Sequence, residues 1–127
     1  MREKIAIHWF RQDLRIQDNP ALNYLSFKHK KIIGIFILDE VNCQTKLGSA
    51  SKVWLYHSLN YLNEQIGNNL LLFKGDPQLV FNSLLKEFDI TEITWNRCYE
   101  PWRVKRDKAL MINLKKQVDI KSFNASL

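Results

Sequence analysis

Charged and aromatic side chains gather in four short segments that each follow an apolar run. These are Phe10 to Asn19 with Arg11, Asp13, Arg15 and Asp18, then Asp39 to Lys52, Lys74 to Asp76, and Asn96 to Trp102 with Cys98, Tyr99 and Glu100. Flat rings (Phe10, Trp54, Tyr99, Trp102) beside fixed charges (Arg11, Asp39, Lys52, Glu100) suit a planar, partly polar ligand, because rings supply contact area and a few charges fix orientation. The same residues do not spell a reaction. There is no G-x-S-x-G elbow and no H-E-x-x-H metal pair. His8, His29 and His57 share no spacing and have no nucleophile motif beside them, so each reads as packing. Cys43 and Cys98 form no C-x-x-C pair, which argues against a disulfide framework or a zinc site and for reduced thiols. No G-x-G-x-x-G follows the first apolar run and no G-x-x-x-x-G-K-[ST] is present, so the usual phosphate cradles are missing. With no catalytic or metal-binding set, the residues by themselves describe a binding domain.

These segments need a scaffold, and the hydrophobic pattern supplies one. Apolar strands are expected at Lys4 to Trp9, Ile32 to Leu38, Leu70 to Phe73, Ile93 to Trp95 and Asp119 to Phe123. Between them lie helices signalled by Asn19-Pro20, by Ser49 or Ser51 with Leu55, Leu59, Leu62 and Ile66 inward, by Asp76-Pro77, and by Pro101 with Leu110, Leu114 and Val118 on one stripe. Gly67 is placed to stop the second helix in a left-handed conformation. Strand and helix in alternation predict an α/β fold, a doubly wound five-stranded parallel sheet with helices on both faces. In such a sheet ligands sit outside the carboxyl ends of the strands, where the four segments lie. Trp9 and Trp95, on strands, read as core, Trp54 as packing its own helix, and Arg15 and Asp18 as pinning their loop by ion pairing.

The 127 residues fit one domain, and a composition 46% hydrophobic and 25% charged is that of a globular protein. No apolar run approaches the roughly 20 residues that span a bilayer and no signal-peptide core is present, so no membrane partner and a cytoplasmic location are expected. The net charge of +6 is uneven: Arg97 to Lys121 carry +5 of it, around the last helix. With no aromatic residue interleaved for base stacking from Arg103 to Lys121, this stripe reads as a solvated helix face.

The opening W-F-R-Q-D-L-R-x-x-D-N-x-A-L, residues Trp9 to Leu22, closely resembles the start of the DNA photolyase and cryptochrome family. Three further segments resemble it in order: Gly48 to Leu59, Lys74 to Pro77, and Trp95 to Trp102 followed by Arg106-Asp107. Together they cover essentially all of residues 1–127, as the N-terminal α/β domain of a class I-type photolyase. The resemblance implies a parent that splits cyclobutane pyrimidine dimers in damaged DNA with light and reduced FAD. In the family FAD and DNA are held by a C-terminal helical domain, which would be this chain's partner, so catalysis is not expected here. The abrupt ending after Phe123 fits a domain cut from something longer.

What this domain would contribute is its side of a crevice for an antenna chromophore, with Phe10, Arg11, Leu38, Asp39, Lys52, Cys98 and Glu100 as the candidate residues. Trp102-Arg103 stand where one folate-binding type has Asn-Glu, while Lys52 and Cys98 stand where deazaflavin-binding members tend to have Arg and Asp. Folate, deazaflavin, flavin or no antenna all stay open. A cryptochrome-like photoreceptor is the nearest alternative. A free-standing nucleotide-binding module of universal-stress-protein type, and an interaction domain using the basic helix, are further ones.

Overall fold

The computed structural model describes residues 4–11, 14, 16, 19–39 and 49–123, with side chains from Lys52 onward in the last stretch. Its elements are β1 (Lys4–Phe10), α1 (Pro20–Lys28), β2 (Ile32–Asp39), α2 (Ser49–Gln65), β3 (Leu70–Gly75), α3 (Pro77–Glu87), β4 (Asp89–Asn96), α4 (Pro101–Leu114) and β5 (Asp119–Phe123). The five strands form one parallel sheet in the order β3-β2-β1-β4-β5. This is the doubly wound arrangement that the alternation of elements predicts. Among the described residues no helix is long and apolar enough to cross a membrane.

β4 begins at Asp89 rather than at Ile93, because a bulge lets polar residues join the ladder. Ile5 pairs with Ile90 and Ala6 with Glu92, which leaves Thr91 as the extra residue. Its hydroxyl donates to the Ile5 carbonyl at 3.0 Å, replacing a lost ladder bond. A strand that starts Asp-Ile-Thr-Glu shows no run of apolar residues, which is why its first turn is illegible in the sequence.

The chain winds one way through β1, β2 and β3 and the other way through β4 and β5, so right-handed crossovers put α1 and α2 on one face and α3 and α4 on the other. Two separate cores result. Ile5, Ile7 and Trp9 meet Ile93, Trp95, Phe81, Leu84, Leu110 and Leu114 on the α3/α4 face. Trp9 stands edge-on to Trp95 at 5.3 Å and to Phe81 at 5.2 Å, so both strand tryptophans are core as expected. On the other face Phe10, Leu59, Leu62 and Leu70 are buried with Leu55 and Ile66 beside them. Trp54 does not pack its helix as expected and is 65% exposed. One residue before Leu55, it points about 100° off the stripe of Leu55, Leu59, Leu62 and Ile66 that faces the sheet.

Local signals act as the sequence implies. Asn19 accepts from the Leu22 N–H at 3.0 Å and Asp76 from the Gln78 N–H at 3.1 Å, each ahead of a proline in the first turn. Beyond α2, Gly67 turns the chain with φ of +69°. Gly34 serves close approach instead: a Cβ there would lie 2.6 Å from a Phe10 ring carbon and 3.1 Å from Ile66 Cδ1. Phe10 is itself 1% exposed. Gly34→Ala is therefore expected to lower the unfolding free energy by about 1–3 kcal/mol in urea titration, and an unchanged midpoint would show that the ring can move aside.

Candidate functional site

At the carboxyl ends of β1 and β4, where the crossover direction reverses, an open α/β sheet usually admits its ligand. Here that point is filled by the protein's own amides. Asn96, the last residue of β4, accepts from the Ala21 N–H at 3.2 Å and donates to Asn19 Oδ1 at 2.7 Å. Asn19 Oδ1 is also the cap of α1, so the first free N–H groups of that helix meet neutral oxygens and not a phosphate. With its oxygen so engaged, Asn19 directs its NH2 to His8 Nε2 at 3.3 Å. That leaves Nδ1 to carry the imidazole proton and donate to Thr94 Oγ1 at 3.2 Å. Burial, helped by the nearby Arg11 charge, lowers the His8 pKa to about 3, so the ring is neutral at physiological pH.

A second network runs across the same edge on the opposite face. Arg11 follows β1 directly, and its guanidinium stacks over Trp9 at 4.3 Å while Nη2 donates to Asp107 of α4 and Nη1 to the Asn96 carbonyl at 3.4 Å. Asp107 takes Arg106 on its other oxygen at 3.1 Å, and Arg106 reaches Asp39 at the end of β2 at 3.2 Å. The result is an alternating chain Arg11, Asp107, Arg106, Asp39, all with nearly or fully buried side chains. Burial presses the Arg11 pKa down, and the Asp107 carboxylate opposes it. Two cations and two anions in one line leave the buried edge neutral, as desolvated charge requires.

The candidate residues thus separate into four groups. Arg11 and Asp39 are joined through α4. Lys52 is exposed on the first turn of α2, and Glu100, also exposed, sits at the N-cap position of α4 without capping it. Instead the Glu100 carboxylate accepts from Trp102 Nε1 at 3.2 Å and pairs with Arg103 at 3.2 Å. Trp102 is half-buried with the Arg103 and Arg106 guanidinium carbons 4.5 and 5.0 Å from its ring centre. Cys98 and Leu38 are half-buried at the ends of β4 and β2, and Cys98 is near enough to Arg11 to influence its charge. Phe10 stands apart: as the last residue of β1 its ring turns into the α1/α2 core, edge-on to His8 at 4.5 Å, and offers no wall at the carboxyl edge. The loop expectations for Asp13, Arg15, Asp18 and Cys43 fall outside the described residues.

Sequence reasoning passed over the central role of Arg106 and Asp107, because two charges in the first turns of a basic helix look like solvated surface. Only their pairing across to β1 and β2 removes them from water. Among the described residues no group of His, Cys, Asp and Glu is arranged to hold a metal ion. At the start of α4 the arrangement offers a flat group the half-buried Trp102 ring with the Arg103 and Glu100 side chains beside it. The hydroxyl that meets His8, Thr94 Oγ1, is fully buried.

The family model for DNA photolyase matches residues 6–127. Deoxyribodipyrimidine photo-lyase of Agrobacterium fabrum is 34% identical over 126 residues, covering 96% of this chain and 26% of that protein. Cryptochrome-2 of Arabidopsis thaliana is 30% identical over 131 residues, covering 98% of this chain and 21% of that protein. Among solved structures, an archaeal photolyase from Sulfolobus tokodaii superposes with a TM-score of 0.80 at 25% identity, covering 96% of this chain and 29% of that one. That structure holds two FAD molecules and is described as implying a novel light-harvesting cofactor. The chain therefore spans about a quarter of the length of the relatives it matches.

Removing one partner of a buried ion pair strands the other. Asp107→Ala is expected to cost about 3–5 kcal/mol of stability by chemical denaturation, far more than Glu100→Ala at its exposed position; equal losses would mean that Arg11 is not held by Asp107. The His8 linkage has a definite sign. The unfolded histidine binds a proton below its ordinary pKa of 6.5 and the folded one only near 3, so stability falls as pH drops through that window. The slope approaches about 1.4 kcal/mol per pH unit for one proton. Measured between pH 6.5 and 4.5, above the range in which carboxylates dominate, His8→Gln is expected to flatten it.

Proposed function

Because this chain belongs to the DNA photolyase family, we propose that it is the antenna-chromophore-binding α/β domain of a light-driven DNA repair protein, whose catalytic cofactor FAD is carried by a C-terminal helical domain. The observation that carries this reading is the carboxyl edge of the sheet. Its buried charges cancel, Asn19 and Asn96 fill its switch point, and among the described residues the half-buried indole of Trp102 stands beside Arg103 and Glu100 at the start of α4. That donor set fits a planar chromophore with a polar edge better than a free nucleotide.

In this reading Trp102 would lie against the ring system, Lys52 and Arg103 would take its acidic groups, and Asp39 and Leu38 would close the β2 side. Asp39 has a further task, because it holds Arg106 against the face of Trp102 and so fixes where the indole stands. When bound, an antenna supplies absorption of near-ultraviolet or blue light and transfer of that excitation to FAD. The protein's own part is to hold the dye rigidly, to keep water from its face and to carry no group that reacts with it. Folate, deazaflavin and flavin share the flat ring and polar edge that these residues address. Damaged DNA would be met through the parent protein and not through this domain. The free-standing nucleotide-binding module is set aside by the family match over residues 6–127.

The test uses the full-length parent. Purified with its FAD, it is expected to show a second near-ultraviolet or blue absorbance that Lys52→Glu or Trp102→Ala reduces while the FAD content is unchanged. Dimer repair under light should persist in these variants with lower efficiency per incident photon. Full chromophore content in both variants would overturn the assignment of the site, and absence of light-driven repair by the intact protein would move the chain to the cryptochrome-like photoreceptor role.

A further inference from the structure

The count of charges along the sequence understates how positive the outer side of α4 is. Between Val104 and Val118 the one acidic residue is Asp107, and its carboxylate is turned inward to Arg11 and Arg106. Lys105, Lys108, Lys115 and Lys116 are all exposed, and among the described residues none of them forms an ion pair. Leu110 and Leu114, 3% and 0% exposed, commit the apolar stripe of the helix to the core. The four lysines therefore stand on the side away from the sheet, with no acid among them.

Apolar side chains are set into the same face. Lys105, Lys108, Ile112 and Lys115 recur at spacings of three, four and three, so they form one row along the helix, about 15 Å long at the helical rise. Val104 flanks the start of the row at 46% exposed, and Ile112 stands in its middle at 59%. The lysine stems extend this apolar ground while their ammonium groups stay at its margins. Such a row is the seam along which a second helix lies. A phosphate backbone would answer the charge but gain nothing from Val104 and Ile112, and two branched side chains are too small an apolar face to hold a helix in a membrane surface. A surface with both features calls for a partner that carries carboxylates and apolar groups together.

We propose that the outer face of α4 is a docking surface for an acidic amphipathic helix of a partner protein, whose carboxylates meet Lys105, Lys108, Lys115 and Lys116 and whose apolar side chains cover Val104 and Ile112. Charge complementarity sets the sign of the partner, because a basic or neutral helix would leave four ammonium groups facing it without an answering charge. The surface is independent of the antenna crevice, which uses none of these six residues.

The probe is a dye-labelled synthetic helical peptide of glutamate and leucine, titrated with the purified 127-residue chain and followed by fluorescence anisotropy. Saturable binding is expected, weakening as salt is raised and tighter than that of labelled poly-L-glutamate, which has the charge without the apolar groups. Lys108→Glu combined with Lys115→Glu is expected to weaken binding of the glutamate-leucine peptide by roughly tenfold or more, since like charges then face each other. Ile112→Asn is expected to reduce that peptide's advantage over poly-L-glutamate. Lys4→Glu combined with Lys30→Glu, at exposed positions away from α4, makes the same change in net charge and is expected to leave most of the binding in place. Circular dichroism verifies that each variant keeps the fold. No saturable binding, an equal loss in the Lys4 and Lys30 variant, poly-L-glutamate binding as tightly as the glutamate-leucine peptide, or tighter binding to a DNA duplex or to phosphatidylserine vesicles would each overturn the proposal. Chromophore content of the full-length parent is read separately, so failure of the antenna reading is told apart from failure of this one.

Discussion

A positive charge buried where a strand ends is the constraint around which the carboxyl edge is arranged. Arg11 follows the most central strand of the sheet and its side chain is 1% exposed, so it is acceptable only with a carboxylate at hand. Asp107 supplies it from the first turns of α4, and this fixes the helix relative to β1 more strictly than apolar packing would, because a displaced ion pair loses far more than a displaced leucine. Arg106 then extends the link to Asp39 on β2. Three elements distant in the chain are registered by one line of charge.

The two faces of the sheet are stabilised by different physics. Under α3 and α4 the contact is apolar and aromatic, with Trp9, Trp95 and Phe81 edge-to-face. Under α1 the sheet presents His8, Thr94, Glu92 and Asn96, four polar side chains in succession, and a nine-residue helix covers them. Ala6 and Ala21, both fully buried, let the helix come close, and hydrogen bonds then do what apolar area does elsewhere. Glu92 shows the balance. Burial would push its carboxyl pKa up, yet hydrogen bonds from His29 and Tyr24, with the Lys28 charge, hold it below the usual range. A helix fastened in this way is drawn to where its partners are, over β4 and β5.

The sequence by itself determined the order and kind of the elements, because strand and helix periods, the Asn19-Pro20 and Asp76-Pro77 caps and the Gly67 stop are local signals that act within a few residues. It also marked the segments at the carboxyl ends of the strands, since these simply follow the apolar runs. Other features depended on pairings between positions far apart in the chain and were settled only by the tertiary structure: the turn of Phe10 into the core, the bulge at Thr91, and the meeting of Arg11 with Asp107 and of Asn19 with Asn96. Charge shows the difference most clearly. An arginine in a basic helix and one sealed against an indole read identically in sequence, and only the packing around each decides whether water or a carboxylate answers it.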